Sequence, residues 1–158
     1  MIKDRFEAYA QARRTLRRKQ ARLLELTNKL DDPGHASRPD SVTVKQPYNN
    51  LLPEELTELD ELKAELLQLT ELDQIQRAEL KRVIALLSEY ESAVLEYHYL
   101  EAIDDWAVVA RRVFGIREDF REHRNYYINR CYRLHSQGFK ILEEKAARVA
   151  AKKLAQVA

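Results

Sequence analysis

The residues best able to do chemistry lie between Trp106 and Leu142, in WAVVARRVFGIREDFREHRNYYINRCYRLHSQGFKIL. Arg117, Arg121, Arg124, Asn129, Arg130 and Arg133 are the side-chain types that read duplex DNA. Arginine pairs bidentately with guanine, asparagine with adenine, and either binds phosphate. Glu118, Asp119 and Glu122 are interleaved with them and repel phosphate unless they turn away. The alternative for the same stretch is a solvated helix face laced with i,i+4 charge pairs. Cys131 and His135, one helical turn apart, could clamp a metal, but a structural zinc takes four ligands. His35, His98 and His123 show no matching spacing. His98 with Glu101 has the form of an acid/base pair, and the acidic stretch 53–91 that of a carboxylate cluster. Neither comes with a nucleophile or a glycine-rich phosphate loop. The chain therefore reads as a non-enzyme without metal or cofactor, and double-stranded DNA as its candidate ligand.

Such side chains need elements to hold them, and the composition specifies helices. In 158 residues there are only three glycines and four prolines, and 34% of residues are charged, which is a long-helix or coiled-coil composition. A net charge of +1 hides a segregation that says more about partners than the total does. Residues 1–30 hold nine Lys/Arg against three Asp/Glu, residues 53–91 four against eleven, and residues 117–158 ten against five. Local charge can thus support DNA binding because the acid that cancels it belongs to another helix. No apolar run reaches the roughly 18–20 residues of a membrane span, the N-terminus has no apolar signal core, and the single cysteine cannot form an internal disulfide. These features place the chain in the cytoplasm, with no membrane partner.

Ile2, Tyr9, Leu16, Leu23 and Leu30 repeat every seven residues, with Phe6, Arg13, Gln20 and Thr27 as the second row of a heptad seam. Asp31-Asp32-Pro33-Gly34 ends that helix, and a loop of residues 31–52 follows. Pro53, with Glu54 and Glu55 behind it, suits the first turn of a second helix that reaches about Leu87. Its rows, Leu59-Leu66-Leu80-Leu87 and Leu62-Leu69-Val83-Tyr90, are interrupted together at Asp73 and Gln76, so the seam breaks or bends there. Neither stripe can be buried alone, which predicts an antiparallel hairpin or the same pairing between two chains. The basic run Arg13–Arg22 reads as the complement of the acidic helix, with a phosphate-binding strip as the alternative. Ser88-x-x-Glu91 has the capping-box form, and a short helix with Trp106, Val109, Ala110 and Val113 begins near Ile103 or Asp104. Phe120, Tyr127, Leu134 and Ile141 then repeat at seven, predicting one helix from about Arg117 onward. The fold class is all-α, with a helical hairpin or coiled coil over 1–87 and a second domain over 88–158.

Two stretches carry a resemblance. EYESAVLEYHYLEAIDDWAVVARRV resembles the first half of the region-4 helix-turn-helix of sigma-70-type factors, with Trp106 ahead of Val109-Ala110. YYINRCYRLHSQGFKIL resembles the recognition stretch of phage transcription regulators of the RinA/ArpU type, through Tyr126, Tyr132, Arg133, Leu134 and His135, with Cys131 in the place of a valine. The first helix, Asp40-Ser41-Val42 and the acidic second helix are similar to one subgroup of these regulators. The family's capping serine is replaced by Tyr127, and ten residues, Ile116–Asn125, stand where the family has essentially none.

The resemblance implies a cytoplasmic phage or prophage DNA-binding regulator with a C-terminal helix-turn-helix. Self-association as a homodimer or contact with RNA polymerase would fall to the N-terminal helices. The ten extra residues read as nearly three added turns of the recognition helix. Arg117, Arg121 and Arg124 would then lie at its leading end, and Asn129, Arg130 and Arg133 farther along. Both sets remain candidates for the groove. The other reading is a helical adaptor or inhibitor with a degenerate helix-turn-helix that grips a protein partner.

Overall fold

The computed structural model describes residues 1–31 and 51–158, and every regular element among them is helical. The stop signal at Asp32-Pro33-Gly34, His35, Asp40-Ser41-Val42 and the rest of the expected loop up to residue 50 lie outside the described residues. Helix α1 is Ile2–Asp31 and α2 is Pro53–Ile84. Proline lacks only an amide hydrogen that a first helical turn leaves unbonded, and Glu54 and Glu55 lie against the positive helix end. The short α3, Glu89–Leu95, passes into a π-helical turn, Glu96–Leu100. Ala102 in the left-handed region, at φ 51°, reverses the chain toward α4, Trp106–Phe114, whose cap Asp105 accepts from the Ala107 amide at 2.9 Å. Helix α5 runs Arg124–Val157.

Two compact units are present: Met1–Arg14 with Asp73–Ala158, and Thr15–Leu72. In the second unit, Lys29 pairs with Glu55, Arg22 with Glu58 and Lys19 with Glu65. The order reverses between the helices, so α1 and α2 run antiparallel there. Leu26, Leu51, Leu59 and Leu62 are buried between these charged flanks. The basic run of α1 is therefore matched to the acids of α2, as opposite charges flanking a seam set orientation.

The first unit contains two apolar clusters. One joins Phe6, Tyr9 and Ala10 of α1 and Leu80 and Ile84 of α2 to Leu95, Tyr99, Leu100, Phe139 and Leu142, so the N-terminal helices share a core with α3 and α5. The other is built from Val94, Val109, Ala110, Phe114, Tyr127 and Cys131, with Trp106, Val113 and Phe120 packed against it. The interruption of both heptad rows at Asp73 has a specific cause. Tyr9 donates to Asp73 Oδ1 at 2.8 Å and Arg13 Nη1 to Asp73 Oδ2 at 2.5 Å. The polar residue of each seam is the partner of the other. One turn on, Arg77 donates to the Leu100 carbonyl at 2.9 Å and pairs with Glu101.

Two boundaries differ from the sequence expectation, and the restart at Ser88 is kept without its expected side-chain bond. Helix α2 ends at Ile84 and gives way to turns through Leu87. Ser88 occupies the N-cap of α3, but its side chain makes no capping bond. The helix expected from Arg117 begins only at Arg124, and residues 115–123 form turns. The expected extension of the recognition helix is thus corrected: Phe120, Asp119 and Tyr127 are satisfied without it. The Phe120 amide bonds to the Arg117 carbonyl at 3.1 Å, and the Phe120 ring stacks on Tyr127 at 5.7 Å. The Tyr127 hydroxyl reaches Asp119 at 2.7 and 2.9 Å. The turn segment supplies the seven-residue spacing that would otherwise indicate a continuous helix.

Candidate nucleic-acid interface

The scaffold of the site is the packing of α4 on α5. Val109, Ala110 and Phe114 of α4 meet Tyr127 and Cys131 of α5. Burial pushes the Cys131 thiol up to about 11, so it serves as a small apolar core residue and not as a thiolate. Trp106 stacks on His98 at 4.2 Å and lies against Tyr132 at 4.8 Å, anchoring the two helices. His135 shares a hydrogen bond of 2.7 Å with the Tyr99 hydroxyl, and burial lowers its pKa to about 4. The Cys131–His135 pair is thereby committed to packing.

Because α5 starts at Arg124, Asn129, Arg130 and Arg133 fall within its first three turns. They line a groove of about 310 Å³ together with Tyr126, Leu134 and Gln137. Tyr126 and Tyr132 are exposed, whereas Tyr127 is 2% exposed. Its hydrogen bonds to Asp119 keep that carboxylate occupied and hold the Tyr127 hydroxyl above its usual range.

Arg117, Arg121 and Arg124 occupy a separate cleft of about 530 Å³ with Arg111, Gly115, Glu118 and Phe120. The structure therefore sorts the six sequence candidates into two sets of three, each with its own surface. Arg111, Tyr90 and Gln137 join these surfaces although nothing in the sequence marks them as contacts. Arg111 and Gln137 carry suitable chemistry, but only the folded chain shows which set each joins. Tyr90 was assigned to a heptad row.

Two arginines are held by aromatic rings. Arg130 lies over Tyr90 at 5.4 Å and over Phe114 at 5.2 Å. Arg117 donates to the Tyr90 hydroxyl at 3.2 Å and lies 5.9 Å from the Phe114 centroid, and the Tyr90 bond helps keep its guanidinium protonated. Both remain cationic because a ring face attracts a cation without neutralising it. Among the described residues, no ion pair engages Arg111, Arg121, Arg124 or Arg133. No helix among them is long and apolar enough to cross a membrane, and no group of three His, Cys, Asp or Glu is placed to hold a metal ion. No family model matches the sequence, and no curated protein or solved structure matches the chain.

Proposed function

We propose that the chain is a DNA-binding transcription regulator of phage or prophage type, with α4 and α5 acting as a helix-turn-helix. The observation that carries this reading is the α5 groove. It presents Asn129, Arg130, Arg133, Tyr126 and Gln137 on one side of the first turns of a long helix, and no acidic residue lines it among the described residues. Recognition helices place base-reading side chains in this part of the helix. Asn and Gln suit adenine, Arg suits guanine, and a partly exposed tyrosine packs on sugar or base. The protein binds as a homodimer, which offers two such grooves to two half-sites, and its N-terminal helices are the elements available to RNA polymerase. The activity is binding, without catalysis, a cofactor or a membrane.

The test is selection of duplexes from a random-sequence pool, followed by binding of the enriched site at several salt concentrations. The expected result is a defined site whose affinity falls steeply with salt. Asn129→Ala and Arg133→Ala should each weaken it by about 1–3 kcal/mol and relax its sequence preference. Absence of duplex binding at low salt overturns the reading. A helical adaptor that grips a protein partner is then the reading left. What favours it is an apolar groove of about 410 Å³ lined by Ile2, Val83, Leu86, Leu142 and Val149.

A further inference from the structure

We infer that Arg111, Arg117, Arg121 and Arg124 form a phosphate-binding cleft, separate from the α5 groove, and that its phosphate comes from the backbone of the bound duplex. The choice of duplex as the source rests on the function proposed above; the cleft's phosphate chemistry stands on the cleft itself.

The four guanidinium groups come from three consecutive pieces of chain: the last turn of α4, the turn segment and the first residue of α5. All four arginines line one cleft, with Glu118 as the only acid in its lining among the described residues. Like charges gathered this closely repel one another, and such a cluster favours an anion that compensates it. Elsewhere in this chain the same problem is solved internally, since Arg13, Lys19 and Arg22 each meet a carboxylate. Here Arg111, Arg121 and Arg124 have no such partner among the described residues. Arginine's planar fork matches the tetrahedral oxygens of phosphate in bidentate fashion.

The cleft is also organised in advance. Arg117 is fixed by the Tyr90 hydroxyl and the Phe114 ring. Gly115 lets the chain leave α4 close to Arg111, because a methyl group there would fall 2.2 Å from the Arg111 carbonyl oxygen. Arg124 opens α5 and Arg130 follows six residues later, about 9 Å along the helix at 1.5 Å per residue. The cleft and the α5 groove share no lining residue, so they are separate surfaces. Phosphate contacts position a protein on a duplex and carry no sequence information, which assigns the two surfaces different tasks.

The test compares the wild-type protein with an Arg111→Ala/Arg121→Ala variant. Both substituted residues are exposed, and thermal unfolding verifies that the variant folds. Two titrations are made: inorganic pyrophosphate by calorimetry, and the selected duplex at several salt concentrations. The inference expects pyrophosphate binding to be lost in the variant. It also expects the slope of log affinity against log salt to shrink by about 2, at roughly 0.9 per phosphate contact removed, with sequence preference kept. A wild-type protein that binds duplex but not pyrophosphate, with an unchanged salt slope in the variant, overturns the cleft and leaves the DNA reading standing. Pyrophosphate binding that depends on Arg111 and Arg121, without a change in duplex slope, keeps the phosphate site but overturns the duplex as its source, leaving a soluble phosphate ligand. The same pyrophosphate result with no duplex binding by the wild type also overturns the DNA reading. Binding of neither probe overturns both.

Discussion

Arginines recur on α1 and around the start of α5, and those that can be traced meet different partners in the fold. On α1 Arg5, Arg13, Arg14 and Arg22 are paired with carboxylates. Arg13 meets Asp73, Arg14 meets Asp104, and Arg22 meets Glu58 with both nitrogens of its fork. Around α5 they meet rings: Arg130 lies on Tyr90 and Phe114, while Arg117 is bonded to Tyr90. A carboxylate cancels the charge of its partner, whereas an aromatic face orients a cation and leaves its field intact. A basic run is therefore informative about nucleic acid only after its intramolecular acids have been subtracted. By that criterion the denser run, residues 13–22, is the less promising one.

The comparison is broken most forcefully at Asp73. Asp73→Ala removes the acceptor of Tyr9 and the ion partner of Arg13, a side chain that is only 24% exposed. The variant should lose about 2–4 kcal/mol of stability in denaturant unfolding, because a partly buried cation is left uncompensated. The duplex binding proposed above, whose residues lie elsewhere, should keep its salt slope. Arg133→Ala is the converse. Duplex affinity should fall by about 1–3 kcal/mol, while unfolding stays within about 0.5 kcal/mol of wild type, as for an exposed residue without such features. If Arg133→Ala proves as destabilising as Asp73→Ala, the proposed distinction between the two regions fails.

A smaller effect distinguishes the regions by pH. His135 is held neutral by burial, with its pKa lowered from 6.5 to about 4, and His98 is lowered for the same reason. The unfolded chain takes up protons below about 6.5 that folded His135 refuses until about 4. Unfolding therefore binds protons, and stability falls as pH drops through that window while being fully present above it. His135→Gln, which can still accept from Tyr99, should flatten the slope of stability between pH 6.5 and 4. An unchanged slope would show that His135 is not its source. Smallest of all is Gly138→Ala. Its methyl group would lie 3.4 Å from Leu87 and Leu95, an ordinary contact, and alanine is worth up to about 1 kcal/mol over glycine inside a helix. The melting temperature should stay level or rise slightly, and a fall would show that α5 cannot give at this contact.

The sequence makes much of this architecture legible, because helix ends and seams depend on local chemistry. Pro53 begins α2 where its missing amide hydrogen is harmless, and α1 spans Ile2–Asp31 as its heptads suggest. The interruption at Asp73 is visible as a broken pattern, but its partner is not, since Arg13 lies 60 positions away. Periodicity misleads at residues 116–123. Phe120 keeps a seven-residue spacing to Tyr127, yet it reaches the Tyr127 ring from a turn. The candidate contacts were readable as residue types, because arginine and asparagine carry their chemistry wherever they stand. Their division into two surfaces was not readable, since it depends on where α5 begins. Tyr90 was hidden by its heptad position: a residue that looks like seam is a platform for two cations.

The reciprocal bond at Asp73 also bears on how the chain finds its alignment. Heptad seams are nearly periodic, so two long helices can pair one repeat out of step and still cover most of their leucines. In this molecule, a slip of seven residues along α1 would carry Asp73 away from Arg13 and opposite Phe6 or Gln20. The first would strand a carboxylate against an aromatic ring, and the second would offer it no cation. A misaligned encounter is thus penalised at one level of the seam while the leucines remain indifferent. The Tyr9–Asp73–Arg13 layer favours the observed alignment over pairings that hydrophobicity alone would accept.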